Sequence, residues 1–278
     1  MPIAFASLSL PIPLSWAQQP DEALVIRGVD AAVKARVDAI AEYTVTEHYS
    51  VFRGGDEAHS AAEMTVKTTY QKETGKNYTI LSESGSSILR KLVLSSILDN
   101  EKRINQPGTR EGTWITSANY MMKLKPGRVQ HLDGRDCFVL SIEPRERAPN
   151  LIVGTLWVDT KDESIVQIQG TASKSISVFT GPTQLMRQYA MASGFAQATH
   201  ARAVSDSFLF GQTIVTIDYT GYEIKIRAAP QAPAPCGRVN GATFLPRIAG
   251  HFHLLGQRRA IPQLCEWRAD IPFPKESA

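Results

Sequence analysis

Cysteine is scarce in this chain of 278 residues: Cys137, Cys236 and Cys265 are the three, and no two form a CxxC pair. Only Cys137 lies in the body of the protein, so a disulfide framework is excluded there. Charge of one sign is equally short of a cluster. The formal net charge is +3, with Lys and Arg spread along the chain instead of grouped among stacking aromatics, so nucleic acid is not an expected partner. Beyond residue 17 no stretch holds the ~18 or more continuous apolar residues that a helix needs to cross a bilayer.

The signatures of catalysis are missing too. There is no GxSxG elbow, no HExxH pair and no strand-glycine-helix phosphate cradle. The segment HARAVSDS offers His200, Ser205 and Asp206, but strand alternation would put His200 and Asp206 on one face and Ser205 on the other, which defeats a relay. His48, His59 and His131 stand apart in strand or turn positions. His251 and His253, between Cys236 and Cys265, match no zinc-ligand spacing. No catalytic residue, metal or cofactor is therefore expected, and the chain reads as not an enzyme.

What is present is an ordinary globular balance, 43% hydrophobic and 21% charged residues. Residues 1–17 are apolar and end in a small-x-small cleavage pattern, as in a secretory leader, although the usual basic start is missing and the first basic residue is Arg27. Export and a periplasmic, soluble state follow from that reading. Residues 18–227 form the expected domain. Residues 228–278 hold seven of the sixteen prolines, show no alternation, and read as a disordered tail.

Within the domain the dominant period is two. Residues 45–52, 61–72 and 77–84 alternate as strands separated by Gly54-Gly55-Asp56 and Glu73-Thr74-Gly75-Lys76, and so short a loop joins antiparallel neighbours. Strands are expected again at 119–125, 128–132, 136–142, 153–159, 164–172, 184–192, 198–209 and 213–226, with Pro126-Gly127 and Asp133-Gly134 as turns. Leu156 and Val158, then Val166 and Ile168, give one face of greasy residues. Thr155, Asp159, Gln167 and Gln169 wet the other. Ten or eleven strands with two helical interruptions predict an α+β fold that is mainly β: one large, curved antiparallel sheet forming an unclosed half β-barrel, with helices on its concave face.

The helices have the longer period. Val33, Val37 and Ile40 mark one over residues 30–42. After Gly85, Ser86 or Ser87 can cap a second, whose residues Ile88, Leu89, Leu92, Val93, Ile97 and Leu98 make a broad apolar stripe ended by Pro107-Gly108. A stripe that wide needs an apolar surface beneath it. The expected arrangement is a cavity lined by Phe138, Leu140, Leu156, Val158, Val166, Ile168, Ile217 and Tyr219 and roofed by Leu89, Leu92, Val93 and Ile97.

Read in order, the helix GSSILRKLVLSSILDNE (residues 85–101), Asn119-Tyr120, Gly154-Thr155-Leu156-Trp157-Val158-Asp159, Ile165-Val166-Gln167-Ile168, Phe195, Gly211 and Ile217-Asp218-Tyr219 resemble bacterial outer-membrane lipoprotein-sorting proteins of the LolA/LolB-like superfamily. The resemblance covers residues 29–226. It implies an unclosed β-barrel whose hollow side takes acyl chains of a lipid or lipoprotein in the periplasm, with an envelope membrane protein as a further partner. A carrier is the leading expectation, and a sensor or regulatory binding module of the same fold is the alternative.

Overall fold

The computed structural model describes residues 20–148, 150–174, 182–207 and 211–227. The leader-like segment 1–17 and the tail 228–278 lie outside the described residues. Helix α1 (Glu22–Ala39) starts eight residues earlier than the apolar spacing predicts, because Asp21 supplies the cap: its Oδ1 accepts from the Ala23 N–H at 2.9 Å. Buried Val25 and Val29 then belong to its sheet-facing side, and the helix passes directly into β1 (Ile40–Arg53).

Strands β2 (Ala62–Gln71) and β3 (Gly75–Gly85) follow as a meander. The next helical region has three parts: α2 (Ser87–Leu89), a π turn (Arg90–Leu94) and α3 (Ser95–Ile104). Seven strands complete the domain: β4 (Tyr120–Leu132), β5 (Arg135–Pro144), β6 (Ile152–Asp159), β7 (Ile165–Ala172), β8 (Gln184–Ala192), β9 (Phe195–Ser207) and β10 (Gly211–Ile226). Pro126-Gly127 does not end a strand. It sits in a bulge within β4, where the register jumps between Leu124 and Val129 while β5 advances from Leu140 to Phe138.

All ten strands form one antiparallel sheet in the order β3-β2-β1-β10-β9-β8-β7-β6-β5-β4. The sheet stays open, as expected for a half-barrel, with β3 and β4 as its edges. The first and last strands pair along nearly their whole length, from Ile40 opposite Ile226 to Arg53 opposite Thr213. Residues 86–119 therefore connect the two outermost strands, and the helical region in this connection lies over one face of the sheet.

The helix-covered face holds two apolar clusters. Beneath α1 lie Tyr120, Met122, Leu140, Ile142, Leu156, Val158, Ile165 and Ile168. Beneath α2 and α3 lie Tyr49, Val51, Met64, Val66, Ala201, Val215 and Ile217, meeting Leu89, Leu94 and Leu98 from the helices. Asp30 pins α1 to the start of β4, accepting from the Ser117 N–H at 2.7 Å and its hydroxyl at 2.5 Å. Between β6 and β7 the backbones come so close that a Cβ on Gly154 would lie 2.1 Å from the Gln169 carbonyl oxygen, so only glycine fits.

Candidate functional site

The expected lining residues divide between these two clusters. Leu140, Leu156, Val158 and Ile168 are buried beneath α1, with Phe138 half-buried beside them. Leu89 and Ile217 are buried in the other cluster, with Val93, Ile97 and Tyr219 half-buried against it. Val166 is fully buried yet joins neither, because the register shift between Trp157 and Val158 sets Ile165 opposite Val158. The roof over the GTLWVD strand is thus α1, and α2–α3 roof the β1, β2 and β10 side.

The helix stripe is also rotated from its expected phase. Leu94, absent from the predicted stripe, is fully buried, whereas Ile88 and Leu92 are 60% and 54% exposed. The π turn explains this. The Ser95 N–H bonds to the Arg90 carbonyl, an i→i+5 step that widens the turn, so Leu89 and Leu94 face the sheet together although five residues separate them. Edge strand β3 has an exposed half of its own, with Ile80 and Leu81 at the surface.

A charged seam that periodicity did not reveal runs along α3. Glu47 is only 1% exposed, and its Oε2 accepts from the Tyr49 hydroxyl at 2.5 Å. Lys76 Nζ lies 3.2 Å from Glu47 Oε1 and 3.1 Å from Glu101 Oε2, and Arg187 approaches Glu101 at 3.7 Å. Arg187 pairs with Ile168 on β7 and Ala201 on β9, so it stands between the two apolar clusters. Two acids and two bases balance. Burial opposes the Lys76 ammonium, but Glu101 and Glu47 outweigh it and raise its pKa well above the usual lysine range. Burial likewise opposes the Glu101 carboxylate, yet Lys76 and Arg187 hold its pKa below its ordinary value. Glu47 and Lys76 had only the alternation of β1 and the turn before β3 to announce them, and neither signals burial.

Space beside this seam is small. The recess bounded by Glu47, Lys76, Tyr78, Leu98 and Glu101 measures about 10 Å³, so α3 is seated on the sheet there. The serine-centred set does not assemble. His200 Nδ1 lies 2.7 Å from Asp218 on the neighbouring strand, while Asp206 and Ser205 pair with Gln212 and Thr213 farther along β10. Burial, before any charged neighbour, pushes the Cys137 thiol up to about 11, which leaves it a poor nucleophile.

The class these elements define is an open antiparallel half-barrel with helices over an apolar face. No family model matches the chain, and no curated protein does. Among solved structures it is similar to a DUF1329 family protein from Desulfovibrio piger, at 15% identity and a TM-score of 0.39, covering 74% of this chain and 95% of that one. It is also similar to a LolA superfamily protein from Nitrosomonas europaea, at 11% identity and a TM-score of 0.40, covering 75% and 94%. A domain assigned as an outer membrane lipoprotein-sorting protein from Vibrio parahaemolyticus is similar at 12% identity and a TM-score of 0.40, covering 71% and 91%. Among the described residues no helix is long and apolar enough to cross a membrane.

Proposed function

We propose that this chain is a non-enzymatic periplasmic carrier for a hydrophobic, acyl-bearing ligand, a lipid or a lipoprotein, held between the sheet and its covering helices. An acyl chain offers no hydrogen bonds, so its affinity comes from apolar area removed from water, at roughly 25 cal/mol per Å². The observation that carries this reading is the apolar surface continuing from inside to outside of one helix. Leu89, Leu94 and Leu98 lie on the sheet, and Ile88 and Leu92 of the same helical region face solvent.

The helix is held unevenly. Around α3, Asp99 accepts from the Tyr78 hydroxyl at 3.1 Å and Glu101 is tied to Lys76 and Arg187, whereas the Ser87–Leu94 half is held mainly by apolar contact and by Arg90 on Glu83 at 2.7 Å. A ligand enters when the half before α3 lifts about the π turn while α3 stays seated. The apolar cluster of the β1, β2 and β10 side then becomes accessible to the ligand. The candidate site on this reading is Leu89, Leu92, Val93, Leu94, Ile97, Ile217 and Tyr219, with the cluster beneath α1 as the fixed half of the core.

The test is uptake of a fluorescent fatty-acid analogue by the purified protein, with lipids extracted from it identified by native mass spectrometry. Saturable binding that Leu92→Glu weakens is the expected result. Uptake that is feeble and indifferent to both Leu92→Glu and Ile88→Glu would sink the proposal.

A further inference from the structure

On the face of the sheet away from α1, the β4 bulge leaves a recess of about 320 Å³ lined by Lys125, Pro126, Gln130, Val139, Thr155 and Trp157. Its origin is in the register. Leu124 pairs with Leu140 and Val129 with Phe138, so the four residues between them on β4 face the single residue Val139 on β5. With the β4 backbone looped away, Val139 has no cross-strand neighbour on that side, and Trp157 of β6 walls the other. The volume falls at the lower end of the range typical of small-molecule sites, about 300–1,000 Å³.

The polar groups around the recess are donors. Lys125 Nζ lies 3.0 Å from Thr155 Oγ1, to which it donates, and the described ion pairs include no carboxylate partner for it. The Trp157 indole N–H donates to Gln130 Oε1 at 2.8 Å, which leaves the amide nitrogen of Gln130 with protons to give. Thr155, having accepted from Lys125, keeps its own hydroxyl proton. None of the six lining residues is acidic. An ammonium, an amide and a hydroxyl thus meet over an apolar floor of Val139, Pro126 and the Trp157 ring.

We infer that this recess is a second binding site, independent of the acyl site, for a small monocarboxylate with an aromatic or short branched apolar body. The carboxylate takes the Lys125 ammonium with help from Thr155 and Gln130, and the body lies on Val139 and the Trp157 ring. Water and salt screen an exposed ammonium, so its pairing with the carboxylate is worth up to about a fivefold change in affinity.

The probe is 4-phenylbutyrate, titrated into the full chain while the Trp157 indole N–H resonance is followed, with that resonance assigned through Trp157→Phe. The expected result is a saturable shift, weakened about threefold to fivefold by Lys125→Met. Because Lys125 is solvent-exposed, that variant keeps the fold. Val139→Phe should fill the recess and abolish the shift, and Leu92→Glu should leave it unchanged, which separates this site from the acyl site. Equal binding of 4-phenylbutylamine, indifference to Lys125→Met, or no shift at Trp157 would each overturn the inference.

Discussion

Glu47 and Glu101 share Lys76 between them in a setting unlike that of the surface acids. The pairs Arg202–Glu57 at 2.6 Å and Lys225–Glu42 at 3.1 Å lie near the surface, where water and salt screen them. Glu101 sits on α3 against two cations, and its folded pKa lies below the ordinary 4.5. A carboxylate whose pKa is depressed by folding adds stability that is complete above its unfolded value and disappears as pH falls through its folded value. Unfolding free energy should therefore be flat from neutral pH to about pH 5 and decline below that. Glu101→Gln should remove part of the acid decline and cost about 2 kcal/mol at neutral pH, chiefly because Lys76 loses a partner while buried, the partly exposed Arg187 adding less. Urea titrations of both proteins across pH check this, and an unchanged acid slope would remove Glu101 as its source. The identity of each residue was legible in the sequence, but a lysine after a turn and a glutamate in a strand ordinarily face water, so their meeting was not.

The α2–α3 region shows why an element can be found from its pattern and still be turned the wrong way. The capping serine, the apolar stripe and the Pro107-Gly108 stop place it correctly. A period of 3.6 then assigns Leu92 inward and passes over Leu94. One i→i+5 turn reverses the two, and a π turn leaves no mark that periodicity can read. Truncation energies should follow the structure. Leu94→Ala is expected to cost about 3 kcal/mol, the range for a buried leucine, whereas Leu92→Ala should cost under about 0.5 kcal/mol. Comparable losses for the two in thermal or urea unfolding would contradict the described phase. In β4, Pro126-Gly127 reads as a turn because those residues favour one, and the chain uses the same preference for a bulge instead.

At the scale of the molecule, the first and last strands pair in the interior of the sheet, while its edges, β3 and β4, stay apart. β10 has β1 on one side and β9 on the other, while β3 has a neighbour on one side only and an outer half exposed to water. Amide hydrogen exchange should be slowest at Ile214, Val215 and Ile217 of β10 and fastest in residues 79–84 of β3. Addition of a bound acyl ligand should slow exchange in residues 87–94 above all other segments. Protection confined to the α1 side would move the acyl site to the cluster beneath that helix.

The sequence by itself determined the strands, the two helices, the polar and apolar faces, and the unclosed β architecture, because alternation, capping and turn chemistry are local and are written within a few residues of where they act. Only the tertiary structure decided that β1 pairs with β10, that α1 and α2–α3 cover separate apolar clusters, that four charges meet between them, and that a bulge opens a recess around Trp157. Those outcomes depend on contacts between residues far apart in the chain and on single-residue shifts of register, and the energy separating one such arrangement from another resides in the packed whole.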